Sequence, residues 1–422
     1  MTTPRQRVLD ALTFKETDRV PRDLGGMLSS SISAFAYPHL VEALGLPPRP
    51  PKVYDTYQML ALPDRDVLDA LGCDVITITG EVTNAFDQPE KWQAYDFNGR
   101  LSALVREPGR FRVEPDGTIV QRTGKLAKPS DRDRTGVMTT IRMPPTSYVF
   151  DEEHGGQPVD FQGALPRPDL NEVRREMEDN LLSDEDIAIV RDLCRRVREA
   201  TDRAVFFNDG RLVAPICIHG WGGMAVFPVL CITEPEFVHE LHDLAATYAI
   251  MNIERLMPEI NEFVDVIWLG SDDWGTQKST IASPKVFREL FLPYRKRIND
   301  ACHAAAPDVR TFLHSCGAIY TLLDPIAESG FDVLNPVQWT AGGRTYREWK
   351  DKARGRLALW GGGVNSQGTL PLGTAEEVAE EAGEVASYMR RDGGYVFCNI
   401  HNILAEIAPE NVIAMYRAAG EA

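Results

Sequence analysis

The sequence predicts a (β/α)8 barrel with an antiparallel β insertion in its N-terminal half. Eight short apolar runs recur along the chain, most of them followed by a helical pattern, which indicates a parallel sheet joined by crossover helices. Eight such runs favour a closed barrel over an open doubly wound sheet. No Gly-rich dinucleotide fingerprint follows any of them, which weakens the open-sheet alternative.

Taken in order, Arg5 to Phe14 reads as a short amphipathic helix with Val8, Leu9 and Leu12 on one face. Asp18-Arg19-Val20-Pro21 leads into a brief extended segment that ends at Gly25-Gly26, the first candidate strand. A helical stretch around Val67 to Leu71 precedes the second, Val75 to Thr79. Between Trp92 and Ser147 the pattern changes. Phe111 to Val120 alternates on both sides of Asp116-Gly117, a hairpin signal. Residues 92–165 are therefore expected to be a hairpin-rich insertion into one domain spanning 1–422. Beyond residue 180 the chain becomes regular. Helices over Asp184–Ala200, Pro235–Leu256 and Pro284–Ala305 precede apolar runs at Ala204–Phe207, Val264–Leu269 and Arg310–Leu313. Further runs follow at Asp332–Leu334, Leu357–Trp360 and Tyr395–Phe397.

Composition narrows the function classes. A formal net charge of −17 and a pI near 5.0 argue against a nucleic-acid partner, which needs a basic footprint. No apolar run approaches a membrane span, and Met1 to Asp10 lacks the apolar core of a secretory signal. The 7 cysteines are scattered through 422 residues and form no disulfide framework, so a reducing cytoplasm is expected.

A barrel of this kind places its chemistry where strands finish. Those positions hold Asn208 and Asp209, then Asp272 and Asp273, then His314 and Cys316. Asn335 and Gln338 follow, then Gly361-Gly362-Gly363-Val364-Asn365, then Cys398 and His401. Residues i and i+2 of an extended segment share a face, so His314 and Cys316 can point at one object. Imidazole with thiolate suits Zn²⁺, and three protein ligands leave a fourth position for substrate. The third ligand is Cys398 or His401. Without a metal, the same pair is a buried thiol beside a hydrogen-bonded imidazole. Asp272 and Asp273 read as a general acid/base pair, Asp273 favoured, or as a helix cap. Asn208, Asp209, Asn335, Gln338 and Asn365 are expected to line the substrate site. The three glycines let backbone approach a ligand or simply form a loop. His239 and His242 lie on a solvated helical face, and the other cysteines read as ordinary buried thiols.

These residues carry a resemblance. Arg5-x-Arg7-Val8 through Asp18-Arg19-Val20-Pro21, Asp272 to Gln277, Ser283-Pro284 through Phe291-Leu292-Pro293-Tyr294, His314 to Gly317, Asp332 to Gln338 and Pro409-Glu410-Asn411 resemble the uroporphyrinogen decarboxylase superfamily. Within it, the chain is similar to the branch containing cobalamin-dependent methyltransferases. The resemblance implies a (β/α)8 barrel. It also implies zinc held by a His-x-Cys motif and a distant cysteine. His314 and Cys316 match that motif; at the third position either His401 replaces the cysteine or a small shift brings in Cys398. Decarboxylases of the superfamily carry an Arg-rich N-terminal signature that clamps porphyrinogen carboxylates. Here Asp23 to Ile32 contains no arginine, which argues against porphyrinogen decarboxylation.

The reading that follows is a zinc-dependent methyltransferase. It would move a methyl group between a small methylated substrate or thiol and a corrinoid cofactor. The chain lacks the Asp-x-His-x-x-Gly corrinoid anchor, so a separate corrinoid protein is the expected partner. A homodimer is plausible for the superfamily. The rivals are a metal-free lyase acting on a small carboxylate, with His314 and Asp273 as acid/base groups, and a non-catalytic corrinoid-binding barrel.

Overall fold

The computed structural model describes residues 2–122, 140–152, 165, 167–220 and 223–422. Seven parallel strands follow one another around the molecule: β1 (Val75–Thr79), β2 (Ala204–Asn208), β3 (Val266–Ser271), β4 (Arg310–His314), β5 (Val333–Asn335), β6 (Ala358–Trp360) and β7 (Tyr395–Val396). A short antiparallel strand, Val82–Thr83, folds back on β1. Residues 21–23 fill the gap between β7 and β1. On one side Phe397 N donates to Pro21 O (2.8 Å) and Asp23 N donates to Phe397 O (2.9 Å). On the other, Asp74 N donates to Arg22 O (2.7 Å). The first apolar run of the sequence thus takes the eighth place in the barrel, through single bridges rather than a full ladder.

Strand alternation sorts the core into two shells. Val75, Ala204, Phe206, Val266, Phe312, Val333, Ala358, Trp360 and Val396 point inward and form one buried cluster. Phe206, Phe312 and Trp360 meet edge to face at centroid separations of 4.9, 5.6 and 5.9 Å, so the interior is filled, not a pore. Their neighbours Val205, Phe207, Ile267, Leu313, Leu334 and Leu359 point outward against the helices.

The N-terminal end of the barrel is closed by the helix Pro4–Leu12, started by Thr3 as N-cap and Pro4 in the first turn. Its Val8 and Leu12 join the interior cluster, and Gly394 N donates to Ala11 O. Buried Asp74 gathers Arg7 (2.6 Å) and Arg19 (2.7 Å); buried Asp265 gathers Arg5 (2.8 Å) and Arg198 (3.2 Å). Plugged and cross-linked by charge, that end leaves the opposite one for chemistry.

The chain between β1 and β2 contains the expected hairpins. Val113 pairs with Ile119 across the Asp116-Gly117 turn, where Gly117 takes φ +85°. The Gln93–Asp96 strand pairs with Ser102–Val105, and Thr140–Met143 extends the hairpin sheet. Part of the segment 92–165 lies outside the described residues. A three-stranded antiparallel sheet built from Ile32–Ser33, Leu60–Ala61 and Val53–Asp55 was not anticipated, because its strands are only two or three residues long. Among the described residues no helix is long and apolar enough to cross a membrane.

Asp23, in the closing segment, is fully buried and accepts from Gly26 N (2.8 Å), Ser30 Oγ (2.6 Å) and Trp360 Nε1 (2.9 Å). Burial outweighs these bonds and pushes its carboxyl up to about 6. The folded chain therefore holds this proton where an unfolded one has released it, so stability falls as pH rises from about 4 to 6 and stays lower above. The expected contribution is about 3 kcal/mol. Urea unfolding of wild type and Asp23→Asn between pH 4 and 7 checks this: the difference between them should change by that amount, and parallel curves would refute it.

Candidate metal and active site

The interior alternation carries His314 (two past Phe312) and Asn335 (two past Val333) to the inner face at the open end. His314 is buried, with Nδ1 2.6 Å from Asn335 Oδ1 and Nε2 3.2 Å from Cys316 Sγ. Asp273 Oδ1 lies 3.5 Å from the same Nε2 and accepts the backbone N–H of Cys316 at 3.0 Å.

A β-bulge decides which aspartate arrives there. Register along β3 and β4 shifts between Trp268 and Gly270, so Ser271 sits opposite His314. Parallel partners share a face, and Asp273 lies two residues past Ser271. Asp273 therefore faces His314 and Asp272 faces outward. The loops after β3 and β4 then touch backbone to backbone. A Cβ on Gly275 would overlap Ala318 N, and one on Gly317, at φ +83°, would overlap Gly275 O. Gly275 N donates to Cys316 O (3.0 Å), and Gly317 N donates to Gln338 Oε1 (2.8 Å).

His401 comes from the loop after β7 and takes a left-handed φ of +62°. That loop is pinned by Ile403 N to Ser31 O (2.9 Å), Ser33 N to Ile403 O (2.8 Å) and Asn402 Nδ2 to Gln58 Oε1 (2.8 Å). The His401 ring stands 5.5 Å from that of His314, and a ring nitrogen of each lies with Cys316 Sγ in a group no wider than 4.8 Å.

Charge is concentrated here. Burial works against a proton on His314, but the Cys316 sulfur and the Asp273 carboxylate outweigh it and hold the imidazole well above its ordinary range. Burial would raise Asp273, yet its bond and charge interaction with His314 keep it below the usual carboxylate range. Burial, with the neighbouring His314 charge, holds His401 down at about 4, so it is neutral near pH 7.

Asp272 has different neighbours. It is fully buried, accepts from Arg295 Nη2 (2.7 Å), Ile218 N (2.6 Å) and Trp274 Nε1, and burial pushes its carboxyl up against the Arg295 charge. Cys217, His219 and Asp272 form a second close group, with His219 Nδ1 3.9 Å from the carboxylate. The guanidinium already supplies the cation there. Arg295 and His219 were not singled out from sequence: Arg295 sits in an ordinary helix pattern, and His219 in a loop without a motif.

The remaining candidates divide. Asn208 is buried at the end of β2. Asp209 pairs with Arg211 (2.7 Å) and, with Gly80, Cys217 and Asn252, lines a cavity of about 960 Å³. Asn365 accepts from Gln367 N (3.0 Å) and orders its own loop. Cys398 lies in the barrel interior, with its sulfur against Asn399 O (3.3 Å), outside the donor group. The glycines of 361–363 serve close backbone packing: a Cβ on Gly361 would overlap Pro336 O, and one on Gly363 would stand 2.6 Å from Cys398 O.

Comparison with known proteins gives three results. Residues 149–422 match the family model described as uroporphyrinogen decarboxylase (URO-D). A curated uroporphyrinogen decarboxylase from Magnetococcus marinus is 26% identical over 194 residues, 44% of this chain; the match spans about half of that relative's length (49%). A solved methyltransferase from Methanosarcina mazei superposes with TM-score 0.52 at 15% identity, covering 100% of this chain and 99% of that one, a likeness of fold.

Removing Arg295 leaves the Asp272 carboxylate buried without its cation. Arg295→Met is expected to lower stability by roughly 3–5 kcal/mol. The double change Arg295→Met with Asp272→Asn should recover part of that loss in urea unfolding. Equal stability of Arg295→Met and wild type would show the pair to be energetically idle.

Proposed function

Given that the chain belongs to the uroporphyrinogen decarboxylase family, we propose that it is a zinc-dependent methyltransferase, moving a methyl group between a small methylated substrate or thiol and a corrinoid presented by a separate protein. The observation that carries this reading is the donor group of His314, Cys316 and His401 at the open end of the barrel. In a tetrahedral zinc site, bonds of about 2.0–2.3 Å put ligand atoms roughly 3.5 Å apart. The His314 Nε2–Cys316 Sγ separation of 3.2 Å is close to that edge, and a His401 nitrogen lies within 4.8 Å of both donors. His401 takes the place of the family's distant cysteine. Two imidazoles and one thiolate are a donor set that zinc accepts, with one position left over.

Zinc bound there would act as a Lewis acid toward a heteroatom of the substrate. The chain's own residues do the rest. His314 supplies nitrogen from the end of β4 and Cys316 sulfur from the loop that follows, which is held in place by the contact of Gly275 with Gly317. Asp273 braces Cys316 through its backbone N–H and presents a carboxylate at the mouth, where it can hold a substrate or manage its proton. Gln338 braces the same loop through Gly317.

Decarboxylation of a polyanionic substrate needs cationic clamps. In this chain the segment 23–32 turns Ser29 and Ser30 toward Asn335 and Asp23. A thiolate ligand and unpaired cysteines suit a reducing cytoplasm.

Metal analysis of the purified protein tests the reading, with about one zinc per chain expected. His314→Ala, Cys316→Ser and His401→Ala should each lose zinc at least tenfold in affinity, whereas Cys398→Ala should retain it. Methyl transfer to cob(I)alamin or from methylcobalamin should fall with the metal. Transfer that persists in metal-free His314→Ala, or zinc loss in Cys398→Ala alone, would overturn the assignment.

A further inference from the structure

The amide of Asn335 can face only one way. Its Nδ2 donates to the backbone carbonyl of Trp360 at 3.0 Å. Rotating the amide by half a turn would set Oδ1 against that carbonyl, two acceptors facing each other. Oδ1 therefore points at His314, and Nδ1 of His314, 2.6 Å away, must be the donor. Ser29 Oγ reaches the same Oδ1 at 2.6 Å. Its hydroxyl also lies 2.8 Å from Met27 Sδ, and Ser29 N lies 3.0 Å from that sulfur. Asn335, Ser29 and His314 are all nearly excluded from solvent.

Two consequences follow for the imidazole. Nδ1 keeps its proton in either charge state, so when Nε2 gives up its own the lone pair falls on Nε2, the nitrogen 3.2 Å from Cys316 Sγ. The ring plane is fixed as well, because the Asn335 amide is held from two sides. A ligating histidine that donates its other N–H to an oxygen is the usual outer arrangement of a metal centre.

We propose that Asn335 and Ser29 are positioning residues that orient His314 for the metal: Asn335 by accepting Nδ1–H, and Ser29 by donating to the same amide oxygen. The inference rests on the metal reading above. It recasts Asn335, expected from sequence to touch substrate. It also gives the segment 23–32 a purpose, since the stretch that carries an arginine clamp in the family's decarboxylases here supports the imidazole from behind.

The test uses the full-length protein with zinc or cobalt(II) as probe. Affinity is measured by chelator competition, and the thiolate-to-cobalt absorption band reports ligand geometry. Asn335→Leu, close in volume but without an acceptor, should weaken metal binding by about 10–100-fold. Asn335→Asp keeps the acceptor oxygen and should stay within a few-fold of wild type. Ser29→Ala should fall between them. In parallel, the metal-free protein should show an exchange-protected His314 Nδ1–H resonance by proton NMR, absent in Asn335→Leu.

Unchanged affinity in Asn335→Leu, or a wild-type Nδ1–H that exchanges freely, would overturn the proposal. Equal loss in Asn335→Asp and Asn335→Leu would do the same, because it would trace the effect to the Trp360 bond. A wild-type protein that binds neither cation would defeat the metal reading. The NMR arm would still decide whether Asn335 orients the ring.

Discussion

Everything at the open end of this barrel hangs on the insertion of residues 21–23 between β7 and β1. Few backbone bonds make that closure, two to Phe397 and one from Asp74. It is reinforced by side chains that cross the barrel: Asp23 holds Trp360 Nε1, and Tyr416 Oη donates to Asp23 O (2.7 Å). Once the segment is in place, the chain that follows must cross the mouth. Ser31 and Ser33 then pin Ile403 beside His401, and Ser29 meets Asn335 behind His314. Closure of the fold and construction of the site are the same event.

Burial of charge is handled differently at the two ends. Around Asp74 and Asp265 each carboxylate meets two guanidinium groups, and the function of these clusters is to tie strand starts together. Around His314 a single imidazole stands between a thiol at 3.2 Å and a carboxylate at 3.5 Å. A group of that kind is costly to bury without a cation, and a proton or a divalent metal can serve. The neutrality of His401, maintained by burial, leaves it able to donate a lone pair.

Adjacent aspartates show how local geometry divides labour. Asp272 and Asp273 are chemically identical, yet one anchors Arg295, Trp274 and the loop at Ile218, and the other braces Cys316. The π-helical turn Phe287–Phe291 contributes to the first role. It sets Phe287 and Phe291 around Trp274 at 5.1 and 4.7 Å and lets the following helix deliver Arg295.

Much of this was legible in the residues. Short apolar runs between amphipathic helices determined the barrel, the Asp116-Gly117 turn determined the hairpin, and the His-x-Cys spacing determined that His314 and Cys316 reach one point, because each depends on short-range pattern. The pairing of His401 rather than Cys398 with that point came from a loop that takes a left-handed turn and is held by Ser31, Ser33 and Gln58, residues distant in sequence. The choice of Asp273 over Asp272 came from a bulge whose register exists only when β3 lies against β4. The orientation of Asn335 likewise required a carbonyl from β6. Local pattern decides which elements form and which face they bury; which side chains meet is decided only when strands far apart in the chain are set in register.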